Sequence, residues 1–308
     1  MESFSSPPLL EAAAKPASLQ LPTLIEALRP SQWVKNGFVF AALIFAEKLT
    51  DQHAVVIDCL AALIFCAISS AVYLVNDTLD AEEDRLHPVK RLRPIASGRV
   101  APSVAASCGI MLAAAAFAGS WMIGHELFAV VAIYAALNVA YSTGLKRVLL
   151  LDVFIIAAGF VLRVLAGGAA IHVPTSSWLI ICTTLLALFM ALSKRRHELV
   201  LLGENGSRHR ASLEHYTPYF LDQLIAIITA STVMSYTLYT FSADVRSRFP
   251  GKHLALTIPF VLFGIFRYLF LMHRREEGGN PTRMLLTDPV LLSTVLLWAA
   301  SVVFIIYF

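Results

Sequence analysis

The residues most able to do chemistry form an acidic run, NDTLDAEED, at positions 76–84, where an apolar segment ends. Residues spaced by four lie on one face of a helix, so Asn76, Asp80 and Asp84 are expected to align, with Asp77 beside Asp80. Like charges on one face repel each other unless a cation lies among them. Mg²⁺ is the natural cation, because it prefers carboxylate oxygens and commonly binds together with phosphate groups. The spacing therefore predicts a metal site formed by Asp77, Asp80 and Asp84.

A basic stretch follows the acidic run within a few residues. It contains Lys90, Arg91 and Arg93, with Arg85 before them and Arg99 after them. Carboxylates that bind a metal next to cations that bind phosphate are what a Mg²⁺–diphosphate site requires. The alternative interpretation is an ordinary solvated loop at a membrane surface, which is also rich in basic residues. The order of the carboxylates favours the metal site, because helix spacing alone would not place so many acids on one side.

The composition places these charged residues in a membrane protein. Hydrophobic residues make up 57% of the 308, mean hydropathy is +0.70 and only 15% of residues are charged, whereas a soluble domain of this length would carry more charge. Apolar stretches long enough to cross a bilayer recur along the chain, so we predict an all-α membrane protein of about nine transmembrane helices. The predicted spans are 36–50, 54–75, 102–122, 126–142, 148–170, 177–194, 218–242, 253–273 and 289–308.

The domain organisation follows from this distribution. Residues 1–22 are rich in proline and serine, and we expect them to form a mobile N-terminal tail. They lack the basic start and apolar stretch of a cleaved signal peptide. Residues 23–308 are expected to form one transmembrane domain. The four cysteines all fall within predicted spans without the close spacing of a zinc or redox motif, so we interpret them as core residues.

The distribution of lysine and arginine predicts the orientation. One set of connections carries the 77–101 loop, Lys146 and the basic run 194–196, whereas the other carries far fewer basic residues, among them Lys48 and Lys252. Because basic loops stay in the cytoplasm, we predict that the N-terminus and the acidic run face the cytoplasm, across a cell membrane from the C-terminus. The net charge of +3 is then a sign of topology, and no nucleic-acid partner is expected.

Two charged residues lie within the predicted span 148–170. Asp152 and Arg163 are eleven residues apart, close to three helical turns, so they share a face, with Gly159 between them. Charged residues inside a span usually face a cavity and mark function, which predicts that the pair lines a cavity together. The alternative is a buried ion pair that fixes helix packing. Lys146, at the mouth of the same helix, is predicted to reach a phosphate bound at the acidic run, the alternative being a positive-inside anchor.

The connection after the span 177–194 is a second candidate functional segment. It is rich in basic residues from Lys194 to Arg210. If 36–142 and 148–273 are two similar halves, this connection occupies the place of the basic stretch in the first half. Two loops over one cavity would then exclude water from a reactive centre. The alternative is a flexible connector, which the glycines in its middle favour.

Several of these motifs resemble a known family. The spacing Asn76-Asp77-x-x-Asp80-x-x-x-Asp84 is similar to the first signature of the UbiA superfamily of membrane prenyltransferases. Further segments resemble one branch of that superfamily: RPSQWVKN at 29–36, KRLRPIASG at 90–98, YSTGLK at 141–146, GFVLR at 159–163, KRRHEL at 194–199 and GNPT at 279–282. The resemblance runs from about Arg29 to the C-terminus. It implies a bundle of nine helices with a Mg²⁺-dependent site that opens to the cytoplasm.

The branch implies a particular reaction. That reaction transfers 5-phosphoribose from phosphoribosyl pyrophosphate to a polyprenyl phosphate of the decaprenyl type and releases pyrophosphate, with Mg²⁺ as cofactor, toward arabinan precursors of a cell wall. From the residues and this resemblance together, we predict Asp77, Asp80, Asp84, Lys146 and Asp152 as the catalytic residues. The predicted substrate-binding residues are Lys35, Asn36, Asn76, Lys90, Arg91, Arg93, Tyr141, Arg163, Lys194 and Arg195.

One departure from the wider superfamily bears on the acceptor. Members of the quinone type carry a second aspartate-rich motif or Tyr-x-x-x-Lys, whereas here Tyr141 and Lys146 are five residues apart and Asp152 follows six further on. Prenyl transfer from a polyprenyl diphosphate to an aromatic or other small acceptor is the nearer alternative function. Transport of a phosphorylated metabolite or anion is the farther one, and it gives no reason for aligned carboxylates. The sequence leaves the lipid length and the oligomeric state open, a homo-oligomer included.

Overall fold

A computed structural model of the chain describes residues 21–86, 89–202, 216–274 and 281–308. Within these ranges the regular structure is helical, without strands, which confirms the predicted all-α class. The α-helices are α1 (Leu21–Leu28), α2 (Phe40–Phe45), α3 (Gln52–Leu79), α4 (Ala81–Leu86), α5 (Pro102–Ile123), α6 (His125–Thr143), α7 (Leu151–Ala170), α8 (Ser177–Leu202), α9 (Pro218–Thr240), α10 (Ala243–Arg248), α11 (Ile258–Arg274), α12 (Pro281–Thr287) and α13 (Pro289–Tyr307). Short 3₁₀ segments cover Pro30–Val39, Lys90–Leu92, Leu145–Arg147 and Leu254–Thr257.

Eight helices of the described ranges are long and apolar enough to cross a membrane, in agreement with a multi-pass membrane protein. They are α3, α5, α6, α7, α8, α9, α11 and α13. They account for eight of the nine predicted spans. The predicted tail lies outside the described residues except at its end, because α1 already begins at Leu21.

The first predicted span, 36–50, is wrong as a continuous helix. The chain there forms a 3₁₀ segment followed by the short helix α2 and a turn. This broken segment, residues 30–45, runs antiparallel to α3, and the Trp33 indole nitrogen donates a hydrogen bond to Ser70 Oγ at 2.9 Å. The interruption turns the Asn36 side chain inward, toward α3. Irregular backbone at membrane depth is tolerated where it is buried in protein in this way.

Helix α7 is the central element of the bundle. Buried residues make up 67% of its most apolar window, against 17–39% in the other seven long helices. Near its start, Val153 and Phe160 belong to a core shared with α8, α9 and α11. Toward its end, Ala166 and Ala170 belong to a second core shared with α3, α5 and α6. Helix α7 therefore joins the two halves of the bundle.

A close approach at Gly167 seats the broken segment on α7. A Cβ atom at this position would overlap the carbonyl oxygen of Val39, so only glycine fits without displacing the backbone of the broken segment. The contact holds residues 30–45 between α3 and α7. Residues just before Val39 therefore project into the interior between the two cores.

Most of the predicted site residues lie at one end of the bundle, which we call the acidic end. It contains the end of α3, α4, the connection from α6 to α7, the C-terminal part of α8 and the start of α9. Ion pairs between Lys146 and Asp80 and between Arg195 and Asp152 hold these elements together. Lys35, Asn36 and Arg163 lie deeper along the helices, so the acidic end leads inward to a second group of polar side chains.

Candidate active site

The acidic run does not form a single stripe. Helix α3 ends at Leu79, Asp80 is its C-terminal cap, and α4 continues from Ala81. Asp77 and Asp84 are seven residues apart, close to two turns, and both are buried, with 4% and 3% exposed. Asn76 and Asp80 face the α6–α7 connection instead. The expected stripe of Asn76, Asp80 and Asp84 is thus two stripes, one inner and one outer.

The inner stripe is held by two arginines. Arg93 Nη1 donates hydrogen bonds to Asp77 Oδ1 at 3.0 Å and to Asp84 Oδ2 at 2.5 Å. Arg29 Nη2 donates to both carboxylate oxygens of Asp77, at 2.5 and 2.7 Å. Burial raises the pKa of the Asp84 carboxyl above its ordinary value, while the nearby cations of Arg93 and Lys90 oppose that rise. Both buried carboxylates therefore have a cationic partner, as burial requires.

The outer stripe contacts the α6–α7 connection. Lys146 Nζ donates to Asp80 Oδ1 at 2.8 Å, and the Asp80 side chain keeps 33% of its surface exposed. Ser142 Oγ donates to Asn76 Oδ1 at 2.5 Å. The structure thus places Lys146 against the acidic run, and its contact with a phosphate stays a prediction.

The three predicted metal ligands are not assembled into one cluster. Across the part of the chain that the structure describes, no three His, Cys, Asp or Glu side chains stand together so that they could hold a metal ion. Asp80 turns to Lys146, while Asp77 and Asp84 turn to the arginines. One Arg93 nitrogen nevertheless contacts both Asp77 and Asp84, so a single cation already bridges these two carboxylates. Carboxylate oxygens are the ligands that Mg²⁺ prefers, and this pair is the one best placed to hold it.

A cavity of about 300 Å³ adjoins the inner stripe, and we call it the polar cavity because four charged side chains line it beside apolar ones. It is lined by Glu26, Ala27, Arg29, Asp77, Val89, Leu92, Arg93 and Pro94. Two of the lining cations also contact the carboxylates, so a ligand in this cavity meets both charges at once. The size lies at the lower end of the range for small-molecule sites.

The basic loop beside the cavity is anchored in the protein. Ile95 and Val100 are buried and pack with α1, α3 and α5. Among the predicted cations of the loop, Arg93 points to the inner stripe, Lys90 is half-buried near Asp84, and Arg91 is exposed. The three cations that the sequence presents together therefore have different degrees of access to the site.

The structure does not bring Asp152 and Arg163 together. Eleven residues of helical rise separate them by about 16 Å along α7. Asp152 forms an ion pair with Arg195, at 3.3 Å from Nε, and accepts a hydrogen bond from the Tyr216 hydroxyl at 3.2 Å. The side chains of Asp152 and Arg195 are 0% and 1% exposed. The expectation that Asp152 lines a cavity with Arg163 is wrong, because the Asp152 carboxylate is buried against Arg195 of α8.

Arg163 is bound to neutral groups. Its Nε donates to Asn36 Oδ1 at 2.8 Å, its Nη2 to the Tyr134 hydroxyl at 3.0 Å, and its Nη1 to the Gly159 carbonyl oxygen at 2.6 Å. The Phe65, Tyr134 and Phe160 rings surround the guanidinium. No carboxylate of the described ranges forms an ion pair with Arg163, although it is 5% exposed in the middle of a membrane domain. Within the described part of the chain, dipoles and aromatic faces stabilise its charge.

Lys35 lies beside Arg163 and makes no ion pair within the described ranges. The charged groups that act on it are the guanidinium groups of Arg163 and Arg29. Three cations therefore follow one another from the inner stripe into the bundle. Like charges at such a site repel each other, so an anion that binds there gains more than it would at an isolated cation.

The remaining predicted residues lie within α8 and near the end of α6. Lys194 Nζ is 3.8 Å from Glu198 Oε1, and Tyr141 is half-buried near Arg195. Arg195 also contacts the Glu198 carboxylate. The rest of the predicted capping connection, 203–215, lies outside the described residues.

Sequence reasoning gave no role to Arg29, which holds the most contacts with Asp77. The available signal was its position at the start of the segment RPSQWVKN. Sequence reasoning interpreted Tyr134 as a packing residue within an apolar span, and it placed Tyr216 in the connection after the span 177–194 without giving it a partner. Only the folded chain brings these hydroxyls to Arg163 and Asp152.

A separate apolar groove of about 740 Å³ opens between α9 and α11. None of the predicted site residues lines it. Its wall consists mainly of aliphatic and aromatic side chains, such as Val233, Leu262 and Phe266. This groove is therefore distinct from the polar cavity at the acidic end.

Comparison with known proteins agrees with this arrangement. The model of the UbiA prenyltransferase family matches residues 37–197, more than half of the chain. Decaprenyl-phosphate phosphoribosyltransferase of Corynebacterium glutamicum is 36% identical over 289 residues, covering 92% of this chain and 86% of that protein. The protein of the same name from Mycobacterium tuberculosis is 34% identical over 297 residues, covering 95% and 97%. The chain belongs to the UbiA prenyltransferase family.

Solved structures support the fold. A UbiA homolog from Archaeoglobus fulgidus bound to GPP and Mg²⁺ superposes with a TM-score of 0.68 at 18% sequence identity, covering 91% of this chain and 96% of that one. A structure of digeranylgeranylglyceryl phosphate synthase gives a TM-score of 0.63 at 17% identity, covering 92% and 98%. At these identities the likeness shows the fold alone. The resemblance read from the sequence motifs is confirmed at the level of the family.

Proposed function

We propose that this protein transfers 5-phosphoribose from phosphoribosyl pyrophosphate to a polyprenyl phosphate of the decaprenyl type and releases pyrophosphate. The observation that carries the proposal is the juxtaposition of Asp77 and Asp84 with Arg29 and Arg93, next to a polar cavity at one end of a membrane bundle. Two relatives that match nearly the whole chain bear the name of this activity. Carboxylates beside phosphate-binding cations suit a donor that carries a diphosphate.

The residues at the inner stripe fit a bound Mg²⁺. Arg93 Nη1 stands between Asp77 and Asp84 as a cation would, which indicates that their oxygens can share a positive ion. Asp80, partly exposed on the outer stripe, is the third proposed ligand. When bound, Mg²⁺ would neutralise the charge that builds up on the departing diphosphate. The family structure bound to GPP and Mg²⁺ supports a divalent metal in this fold.

The chain's own cations bind and orient the phosphates in this proposal. Arg29, Arg93 and Lys146 surround the acidic run, and each contacts at least one of its carboxylates through a partly exposed side chain. Charge-assisted hydrogen bonds from such groups hold a diphosphate in a fixed direction. The C1–O bond of the donor breaks, pyrophosphate leaves, and an oxygen of the lipid phosphate forms the new bond to C1. That oxygen is already anionic at neutral pH, so no strong general base is needed.

A second phosphate group is assigned to the deeper cations. Lys35 is half-buried without an ion-pair partner in the described ranges and is the natural place for an anion within the bundle, while Arg163, only 5% exposed, adds positive charge nearby. The phosphoribosyl donor carries a 5-phosphate in addition to its diphosphate, and the acceptor carries a phosphate of its own. Two anionic groups therefore need cations besides those at the inner stripe. Asn36 holds Arg163 in place for either of them.

The other predicted residues take supporting roles in this proposal. Asp152 and Arg195 have almost no exposed surface, so we assign them to positioning the α7–α8 contact rather than to touching substrate. Lys90, Arg91, Lys194 and Tyr141 lie at the rim of the acidic end, and Asn76 aligns the outer stripe through Ser142. The acidic end faces the cytoplasm in this proposal, because the donor is a cytoplasmic metabolite and the connections there are rich in lysine and arginine.

Prenyl transfer to an aromatic or other small acceptor is the second candidate. The family structure bound to GPP and Mg²⁺ favours it, since that ligand is a prenyl diphosphate. The cations Lys35 and Arg163 favour the first candidate instead, because a prenyl chain offers no charge to a site within the bundle.

The test is a partition assay with the purified full chain, Mg²⁺, polyprenyl phosphate and phosphoribosyl pyrophosphate labelled in the ribose. The proposal predicts label in the organic phase only when lipid, donor and metal are all present. Label that stays in water, together with turnover of a polyprenyl diphosphate and an aromatic acid, would replace it by prenyl transfer. Uptake of label into proteoliposomes without a lipid product would point to transport.

A further inference from the structure

Arg29 and Arg93 occupy positions on Asp77 and Asp84 that a metal ion could use. Arg29 Nη2 lies 2.5 and 2.7 Å from the two oxygens of Asp77, so it takes one hydrogen-bonding position on each of them. Arg93 Nη1 bridges Asp77 and Asp84 at 3.0 and 2.5 Å. A divalent cation held by these oxygens would lie close to both guanidinium groups and repel them. Metal binding at the inner stripe therefore favours a shift of both arginines away from the carboxylates.

The side chains of the two arginines can move into an adjoining cavity. Both line the cavity of about 300 Å³ beside the carboxylates. Their side chains are 25% and 28% exposed, whereas those of Asp77 and Asp84 are 5% and 4% exposed. The carboxylates are thus fixed within the protein, and the arginines are the partners that can leave without exposing a buried group.

The backbone conformation of Arg29 is a second, independent observation that connects this residue with ligand binding. Arg29 has φ 57° and ψ 59°, the left-handed region, at the junction between α1 and the broken segment. A residue with a Cβ atom is disfavoured there, and glycine is the usual occupant. Its guanidinium also lies 4.9 Å from the centre of the Tyr73 ring, on the side of α3 that carries Asp77. Strained residues held by several contacts cluster at ligand-binding sites.

We infer that Arg29 and Arg93 are exchangeable counter-ions: a divalent metal displaces them from Asp77 and Asp84, and the released guanidinium groups then bind the phosphates of the donor. The inference rests on the proposed function, whose metal and diphosphate it links. The two carboxylates and the two arginines together carry no net charge. A divalent metal adds two positive charges to this group, which favours an anion in the adjoining cavity.

The exchange makes metal and diphosphate depend on each other. A metal ion that binds alone displaces the arginines from the carboxylates, and no phosphate is present to pair with them. A diphosphate that binds alone meets arginines that are already paired with carboxylates. Each ligand therefore removes an obstacle to the other, and linkage requires the coupling to be the same in both directions. We expect each ligand to tighten the binding of the other by at least about tenfold.

The test measures equilibrium binding rather than turnover. Titration calorimetry on the purified full chain gives the affinity for Mn²⁺ or Mg²⁺ with and without pyrophosphate, in wild type and in two single variants, Arg29→Gly and Arg93→Gln. Arg29→Gly removes the guanidinium and suits the left-handed backbone, so folding is not strained by the change. Arg147→Gln is the matched control, because Arg147 is an exposed arginine at the same end of the bundle that does not line the cavity and, among the described residues, contacts neither aspartate.

The expected effects have opposite signs. Each variant should bind metal alone at least threefold more tightly than wild type, because a competing cation is gone. Each should bind pyrophosphate, at saturating metal, at least tenfold more weakly, and the coupling between the ligands should shrink accordingly. Arg147→Gln should change neither affinity. A purely structural role for the arginines would loosen the carboxylates and weaken metal binding, so the gain in metal affinity separates exchange from support.

Two results would overturn the inference in distinguishable ways. Wild-type protein that binds pyrophosphate, combined with unchanged or weaker metal binding in both variants, overturns the exchange and leaves the proposed function standing. Wild-type protein that binds no pyrophosphate at saturating metal overturns the proposed function and the exchange together.

Discussion

Two charged clusters at the acidic end use the same residue types in different ways. In the open cluster, Asp77 and Asp84 meet arginines whose side chains are 25–28% exposed beside a polar cavity. In the closed cluster, Asp152 meets Arg195 with 0% and 1% of their side chains exposed. The first cluster follows α3 in the N-terminal half, and the second joins α7 to α8 in the C-terminal half.

Access of the basic partner decides what each cluster can do. A buried ion pair whose two members are both sealed can only hold helices in register, and a ligand cannot reach it. A pair whose cation is partly exposed can exchange that cation for a metal or offer it to a phosphate. The comparison therefore assigns binding and catalysis to the open cluster and helix alignment to the closed one.

The largest effect is expected in the open cluster. Asp84→Asn should lower the rate of pyrophosphate release at least about 1,000-fold, because it removes a charge that holds the metal and leaves the departing diphosphate unneutralised. Thermal unfolding should change little, since Arg93 keeps Asp77 as a partner. The matched control is Glu83→Gln, an exposed acid on the same short helix, which should retain wild-type activity. Full activity of Asp84→Asn at ordinary Mg²⁺ would show that the catalytic metal does not bind in this cluster.

In the closed cluster we expect a loss of stability instead. Arg195→Met leaves the Asp152 carboxylate buried without its cation, which should lower the free energy of unfolding by about 3–5 kcal/mol. The double variant Asp152→Asn, Arg195→Met should recover much of that loss, because no buried charge remains. Thermal denaturation in detergent measures both. A stable Arg195→Met protein without activity would show that Arg195 contributes to the substrate site and that the two clusters do not differ in role.

The deeper cations offer a way to sharpen the comparison. Lys35→Met should weaken the binding of a phosphate substrate by about 1.5–3 kcal/mol, the value of a charge-assisted hydrogen bond. Stability should not fall, because the change relieves repulsion from Arg163 and Arg29. Separate affinities for phosphoribosyl pyrophosphate and polyprenyl phosphate identify the phosphate that Lys35 meets. Unchanged affinity for both substrates would rule out a role for Lys35 in binding either.

The smallest effect is expected at the rim of the open cluster. Arg91 is exposed, so Arg91→Gln should weaken donor binding less than about threefold, and the difference should vanish at high salt. Lys90, half-buried near Asp84, should have the larger effect when changed to Gln. Affinities at two ionic strengths check this order. An equal or larger effect at Arg91 would mean that the loop closes over the donor when it binds.

Local signals account for the part of the site that sequence predicts. The acidic run lies within nine residues of one helix end and its loop, so its spacing already indicates the carboxylates and their neighbours Lys90 and Arg93. The eight long apolar segments indicate their spans for the same reason. The sequence does not predict the break in segment 30–45, because a 3₁₀ path stabilised by tertiary contacts has the same apolar composition as a helix.

Partners across the bundle cannot be predicted from such spacing. Asp152 and Arg163 share a helical face in sequence, yet each finds its partner on another element, Arg195 and Asn36. The division of the acidic run into two stripes also depends on where Arg29 and Lys146 arrive in the fold. Long-range pairing, rather than helical periodicity, decides which charges face a ligand.

The measurement that tests the account most directly follows two labels of one donor. Phosphoribosyl pyrophosphate labelled in the ribose and in the β-phosphate is incubated with polyprenyl phosphate, Mg²⁺ and either wild-type protein or the Asp84→Asn variant. The account predicts that wild type moves ribose into the lipid phase and releases an equal amount of β-phosphate as pyrophosphate, while Asp84→Asn does neither. Ribose and β-phosphate moving together into the lipid, or equal rates for the two proteins, would contradict it.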